Sequence, residues 1–129
     1  MYTSTRRPGL IARLAATVTA ALGLVAIVPA APALAAGTVH GCPSGYACIY
    51  PQNAGWNGDR PSLKYYRYGS YQLSNQFGNH YVLNNQTGGA PFWACTDWNG
   101  NTCPWYVEAG RSYQVDLTPI NSVRLTSSL

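Results

Sequence analysis

Charged side chains are scarce in this sequence, and acidic ones are absent from its first part. Charged residues make up 9% of the 129 residues, and no Asp or Glu precedes Asp59. Three of the eight basic residues lie within the first 35 positions. The chain beyond residue 35 therefore carries five basic and four acidic side chains, a net charge of +1. This balance excludes the strongly basic surface of a nucleic-acid binder, so no nucleic-acid partner is predicted.

Long apolar runs are missing apart from one near the N-terminus. That run, Leu14–Val28, has 15 residues, whereas a spanning helix needs about 20. Arginines precede it, and Ala33-Leu34-Ala35 follows with small residues at the positions that a signal peptidase recognises. The sequence thus predicts an export signal over residues 1–35, a secreted, extracellular protein and no membrane association after cleavage. The pair Arg6-Arg7 leaves the general and twin-arginine routes both open.

Recognisable catalytic patterns are missing as well. The only histidines are His40 and His80, and the chain contains no HExxH, GxSxG or Cys-His pattern. We therefore predict that the protein is not an enzyme. Carboxylates distant in sequence can still meet in space, as they do in glycosidases, and the four acids leave that alternative open.

Runs of helix-forming residues are absent, and the most informative feature of the sequence is an internal repeat. Trp56-Asn57-Gly58 recurs as Trp98-Asn99-Gly100, and Ser70-Tyr71-Gln72 recurs as Ser112-Tyr113-Gln114, both at an offset of 42 residues. Asn-Gly suits a tight hairpin because both residues tolerate positive φ. A repeat of this kind indicates two similar structural units.

Each half of the repeat, about 42–86 and 87–129, has the composition of four short strands. Tyr, Trp, Gly, Asn and Ser dominate both halves, which favours β-sheet with tight turns. One half is too small to bury its apolar face alone, so the two are expected to pack together. The prediction is a single all-β domain over residues 36–129, a two-sheet sandwich of about eight strands.

Four cysteines lie in the predicted secreted part and indicate an oxidising compartment. Cys42 and Cys48 flank a Pro-Ser-Gly turn, and Cys95 and Cys103 lie symmetrically about Asn99. Proximity within each hairpin favours the pairs Cys42–Cys48 and Cys95–Cys103, although four cysteines allow three connectivities. The spacings do not suit zinc, whose ligands usually come in pairs two to four residues apart.

A stretch rich in tyrosine, residues 64–71, alternates aromatic and basic side chains. Such a stretch can stack on nucleic-acid bases or sugar rings. It can equally form a strand with tyrosines on both faces, ring bodies packed and hydroxyls in water.

Two segments carry a resemblance to a known fold. Residues 93–100 fit a pattern of aromatic, four residues, aromatic, one residue and glycine, and Tyr50, Trp56 and Gly58 give a version one residue longer. The pattern resembles the folded-hairpin motif of β/γ-crystallin Greek keys. The resemblance implies two Greek-key motifs that form one crystallin-like sandwich, stapled by the two disulfides.

Within that fold, the chain resembles the secreted peptidase inhibitors typified by the Streptomyces metalloproteinase inhibitor. The resemblance rests on the opening segment Cys42–Tyr50 and on the closing segment Ile120–Arg124. It implies an extracellular peptidase as partner, metalloproteases included, and we expect a monomer.

The residues between Cys95 and Cys103 are the candidate protease-contact loop: Thr96, Asp97, Trp98, Asn99, Gly100, Asn101 and Thr102. A short loop that is crosslinked at both ends loses little entropy on docking. Trp98 offers a bulky apolar anchor, unless it is buried as the second aromatic of the crystallin motif. Rival hypotheses are a module that binds carbohydrate or another surface and a toxin or antimicrobial protein.

No metal site or cofactor is predicted, although a weak calcium site remains open. Crystallin-type domains often bind calcium through Asn/Asp and Ser/Thr residues. The corresponding segments here are 75–80 and 117–122, and neither begins with paired acids. Calcium requires several oxygen ligands, carboxylates among them.

Overall fold

The computed structural model describes residues 37–129. The predicted export signal and its cleavage site lie outside the described residues. Within residues 37–129, no helix is long and apolar enough to cross a membrane.

Eight short strands account for the regular structure of the described residues. Four lie in each half of the repeat, and every pairing between them is antiparallel. The strands are β1 (Tyr46–Ile49), β2 (Leu63–Tyr65), β3 (Gly69–Gln72), β4 (Asn79–Asn85), β5 (Phe92–Cys95), β6 (Trp105–Val107), β7 (Ser112–Asp116) and β8 (Ser122–Leu125). The all-β prediction is confirmed.

The strands form two four-stranded sheets that exchange one strand between the halves. The first sheet has the order β2-β1-β4-β7, and the second has the order β3-β8-β5-β6. In each half, the first, second and fourth strands therefore lie in one sheet, and the third strand lies in the other. Neither half can separate without breaking β3–β8 and β4–β7 pairing, so the two halves form one unit over residues 37–129.

The inner faces of the two sheets share one apolar core. Alternate residues of β1 and β5 point inward, as the two-residue period of a strand dictates: Ala47 and Ile49 from the first sheet meet Phe92 and Ala94 from the second. The rest of the core is made of Leu73, Val82, Val107, Leu117, Ile120, Val123 and Leu125.

A second cluster covers the outer face of the first sheet. Its buried members are Cys42, Cys48, Tyr50 and Leu83. Trp56 packs against it, stacked on His40 at 3.8 Å between ring centroids and edge-on to Tyr50 and Tyr81. Trp56 is thus held by three rings, so its role is structural.

Both disulfides form as the hairpin argument predicts, Cys42 with Cys48 and Cys95 with Cys103. The Asn-Gly turns differ from the predicted tight hairpins. They lie inside longer connections, residues 50–62 between β1 and β2 and residues 96–104 between β5 and β6. Asn57 and Gly58 both have positive φ (52° and 63°), whereas in the second turn only the glycine does.

Candidate functional site

The predicted contact loop, Thr96–Thr102, joins β5 to β6 at one edge of the second sheet. The disulfide Cys95–Cys103 closes its base. Just inside the disulfide, the Thr96 amide donates to the Thr102 carbonyl at 2.9 Å. The ends of the loop are therefore fixed twice, once covalently and once by a hydrogen bond. We refer to residues 96–102 as the Trp98 loop.

The Asp97 carboxylate organises the interior of the Trp98 loop. It accepts hydrogen bonds from the amides of Thr102 (2.8 Å), Asn101 (3.0 Å) and Asn99 (3.1 Å). These donors, the Thr102 amide first, lower the pKa of Asp97 below its ordinary value. The ionised Asp97 carboxylate thus binds loop amides that have no partner in a neighbouring strand.

Side chains of β8 and the residue before it attach the loop to the second sheet. Asn121 donates to the Thr96 carbonyl at 2.7 Å, Ser122 to the Asp97 carbonyl at 2.6 Å and Arg124 to the Gly100 carbonyl at 3.1 Å. Because three loop carbonyls are bound in this way, the loop is fixed to the sheet along its length as well as at its base.

Trp98 lies at the outer side of this rigid loop with 52% of its surface exposed. Within residues 37–129 it stacks on no other aromatic ring. The alternative that Trp98 is buried is therefore wrong for this loop. Its repeat counterpart, Trp56, is the tryptophan that is packed against rings.

Phe77 is an exposed apolar residue near Trp98 that the sequence analysis missed. It is 56% exposed, and it lines a cleft of about 180 Å³ together with Trp98, Leu73 and Ile120. The sequence offered one indication of its exposure: Phe77 is a single apolar residue between Gln76 and Gly78. Trp98 and Phe77 are thus two exposed apolar side chains on one cleft, and a protein partner can cover side chains of this kind.

The segments weighed for calcium are engaged in structural hydrogen bonds. The His80 ring contacts the carbonyls of Tyr50 and Phe77, and Thr118 accepts from the Gly78 amide while its own amide donates to Asp116. Over residues 37–129, no three side chains of His, Cys, Asp or Glu are grouped closely enough to hold a metal ion.

Acidification provides a test of the Asp97 arrangement. A lowered folded-state pKa means that ionised Asp97 stabilises the loop fully above its ordinary pKa, about 3.9, and that this contribution disappears as the pH falls through the lowered value. We expect the Thr102 amide resonance in an NMR titration to shift with a midpoint below that ordinary pKa. The shift should vanish in Asp97→Asn, and a midpoint at or above the ordinary value would contradict the arrangement.

Gly100 provides a second test, because it lies against β3. A Cβ there would overlap Ser70 Oγ and lie 2.8 Å from Ser70 Cβ, and its φ is +76°. Gly88 has a similar φ, +68°, but a Cβ there would have no neighbouring atom within 4 Å. We expect Gly88→Ala to cost about 1 kcal/mol of unfolding free energy and Gly100→Ala clearly more. Urea denaturation measures both, and equal losses would mean that the loop does not rest on β3.

The Trp98 loop is thus a rigid and partly apolar projection whose polar groups are used internally. It can present Trp98 to a partner without a change of backbone conformation. No protein-family model matches the chain, and neither the curated proteins nor the solved structures contain a match to it.

Proposed function

We propose that the protein is a secreted inhibitor of extracellular peptidases, metalloproteases among them, which acts by tight binding and without chemistry of its own. One observation carries the proposal: a half-exposed tryptophan projects from a short loop that is fixed by a disulfide, by side-chain donors to its carbonyls and by one carboxylate. The proposal also includes secretion of the protein, an extracellular peptidase as its partner and a monomeric state.

Rigidity is the physical reason why such a loop inhibits. Binding costs the conformational entropy of every segment that becomes ordered, so a segment that is already fixed binds more tightly. A peptidase cleaves a bound chain when its scissile bond can move toward the transition state. A loop whose carbonyls at Thr96, Asp97 and Gly100 are held by side chains in and next to β8 resists that movement.

The proposed fold is the crystallin-like sandwich of two Greek-key motifs. The exchange of β3 and β7 between the two sheets supports it, because equivalent strands of the two halves occupy equivalent places. The strands β2 and β6, which begin at Leu63 and Trp105, keep the 42-residue offset of the repeat. The strands β1 and β5 begin 46 residues apart, at Tyr46 and Phe92, because the β1–β2 connection is four residues longer than its counterpart.

Titration of purified proteases with the disulfide-bonded protein tests the function. The panel contains a thermolysin-like metalloprotease and serine proteases of the trypsin and subtilisin types. We expect at least one to lose activity at equimolar inhibitor, with the added protein still intact on a gel. Full activity of every protease at micromolar protein, or rapid cleavage of the Trp98 loop, would overturn the proposal.

A further inference from the structure

A second cleft lies at the other end of β4 from Phe77 and the Trp98 loop. Its volume is about 490 Å³, within the range of about 300–1,000 Å³ that is usual for ligand sites. Three chain segments form it: Ser44 and Gly45 before β1, residues 66–68 between β2 and β3, and Gln86 and Thr87 after β4. The proposed inhibitory surface uses none of these residues.

Two exposed tyrosines form the walls of this cleft. Tyr66 is 58% exposed and Tyr68 is 61% exposed, the largest exposed fractions among aromatic residues of the described chain. The Tyr66 ring rests on Tyr46, with 4.9 Å between ring centroids, and over Gly45, where a Cβ would lie 3.3 Å from it. Tyr66 is therefore held in place by two neighbours while more than half of its surface is exposed.

A side-chain hydrogen bond fixes the backbone between the two tyrosines. The Tyr71 hydroxyl donates to the Arg67 carbonyl at 2.6 Å. On the opposite side of the cleft, the Gly45 amide donates to the Asn85 carbonyl at 2.8 Å. The cleft is thus formed before any ligand binds, which lowers the entropic cost of binding.

Gln86 borders the cleft and has a buried side-chain acceptor. Only 7% of the residue is exposed, and its amide nitrogen donates to Asn84 Oδ1 at 3.0 Å and to the Pro91 carbonyl at 3.1 Å. Within residues 37–129 its side-chain oxygen has no hydrogen-bond donor. A buried acceptor without a donor is unfavourable, so a ligand hydroxyl that donates to it would be bound favourably.

The charge of the cleft is positive. Arg67 lines it, and no acidic side chain does. Across residues 37–129, the one contact within salt-bridge distance joins the His40 ring and the Asp59 carboxylate, so Arg67 has no carboxylate partner there. Its guanidinium is available for a carboxylate or sulfate group of a ligand.

We infer that this cleft binds an acidic oligosaccharide, a chain of sugar rings that carries carboxylate or sulfate groups. The C–H faces of sugar rings suit the electron-rich faces of Tyr66 and Tyr68, a sugar hydroxyl suits the Gln86 oxygen, and the acidic group suits Arg67. A proline-rich peptide fits less well, because proline has no N–H to donate to Gln86. Single-stranded nucleic acid fits less well, because one arginine cannot follow a phosphate backbone.

Calorimetric titration with two probes tests this inference: trigalacturonate, which is acidic, and maltotriose, which is neutral. We expect trigalacturonate to bind at least about tenfold more tightly than maltotriose, and Arg67→Gln to remove that preference. Tyr68→Ala should weaken trigalacturonate binding at least about tenfold. The control Tyr113→Ala removes another exposed tyrosine, on β7, and should bind as the unaltered protein does.

Three results would overturn the inference: no binding of trigalacturonate at millimolar concentration, unchanged binding by Tyr68→Ala, or tighter binding of a proline-rich peptide or a thymidine decanucleotide. Circular dichroism of each variant shows whether it is folded, and Tyr68→Phe keeps the ring if Tyr68→Ala does not fold. The Phe variant should retain most of the binding. Since Tyr68 lies outside the Trp98 loop, protease inhibition by Tyr68→Ala is expected to be unchanged.

Discussion

Trp98→Ala should weaken inhibition of a susceptible protease at least about 30-fold. Interfaces draw most of their binding energy from a few buried anchors, and tryptophan contributes about 2 kcal/mol or more in such positions. Because Trp98 is 52% exposed in the free protein, its loss should leave the fold intact. Inhibition constants and thermal melting of the same preparation provide the two measurements.

Trp56→Ala is the matched control. It replaces the same residue type in the same Trp-Asn-Gly tripeptide, but Trp56 is packed against His40, Tyr50 and Tyr81. We expect it to lower the unfolding free energy by about 1–3 kcal/mol and to inhibit normally while folded. A folded Trp98→Ala variant that inhibits as well as the unaltered protein would place the contact elsewhere, first at the turn around Trp56.

Removal of the disulfide at the loop base should reduce both stability and inhibition. In the double variant Cys95→Ala/Cys103→Ala, a crosslink with a sequence separation of 8 is lost. Chain entropy alone gives a loss of about 2.5 kcal/mol for a loop of that length. The loop ends are then held by hydrogen bonds alone, the bond from the Thr96 amide to the Thr102 carbonyl among them, and we expect inhibition to weaken at least about tenfold.

The double variant Cys42→Ala/Cys48→Ala separates stability from loop rigidity. Cys48 lies in β1 of the first sheet, whereas Cys95 lies in β5 of the second. The Cys42–Cys48 crosslink has a sequence separation of 6, so the entropic loss on its removal is similar. We expect urea denaturation to show comparable destabilisation of the two double variants. The Cys42→Ala/Cys48→Ala variant should retain inhibition. Equal loss of inhibition in both would mean that general stability, and not the loop base, controls binding.

Several features could be predicted because they depend on neighbours in sequence. The two disulfide pairs follow from turns between cysteines six and eight residues apart. The strand positions follow from β-branched and aromatic residues between turn residues, as at Trp105–Val107. The Asp97 interactions are local as well, since its three amide donors lie within five residues of it, but the sequence analysis did not anticipate them.

Identical tripeptides gave no indication of which tryptophan is exposed. Trp56 contacts the Tyr81 ring, and Tyr81 directly precedes the core residue Val82; in the second half, the residue directly before the core residue Val123 is Ser122, which has no ring. Trp98 consequently lacks an aromatic partner. The difference depends on residues far from the tripeptides in sequence, and no local pattern records it.

The sequence by itself determined an all-β chain of two related halves and a short loop with one tryptophan between two cysteines, and it favoured the cysteine pairs that the structure contains. Only the tertiary structure decided that Trp98 projects while Trp56 is packed, that Phe77 lies beside it and that Tyr66, Tyr68 and Gln86 border one cleft. Strand propensity, turns and short disulfides are set by neighbouring residues. Exposure and the shape of a cleft depend on which distant segments pack together, here through the exchange of β3 and β7 between the sheets.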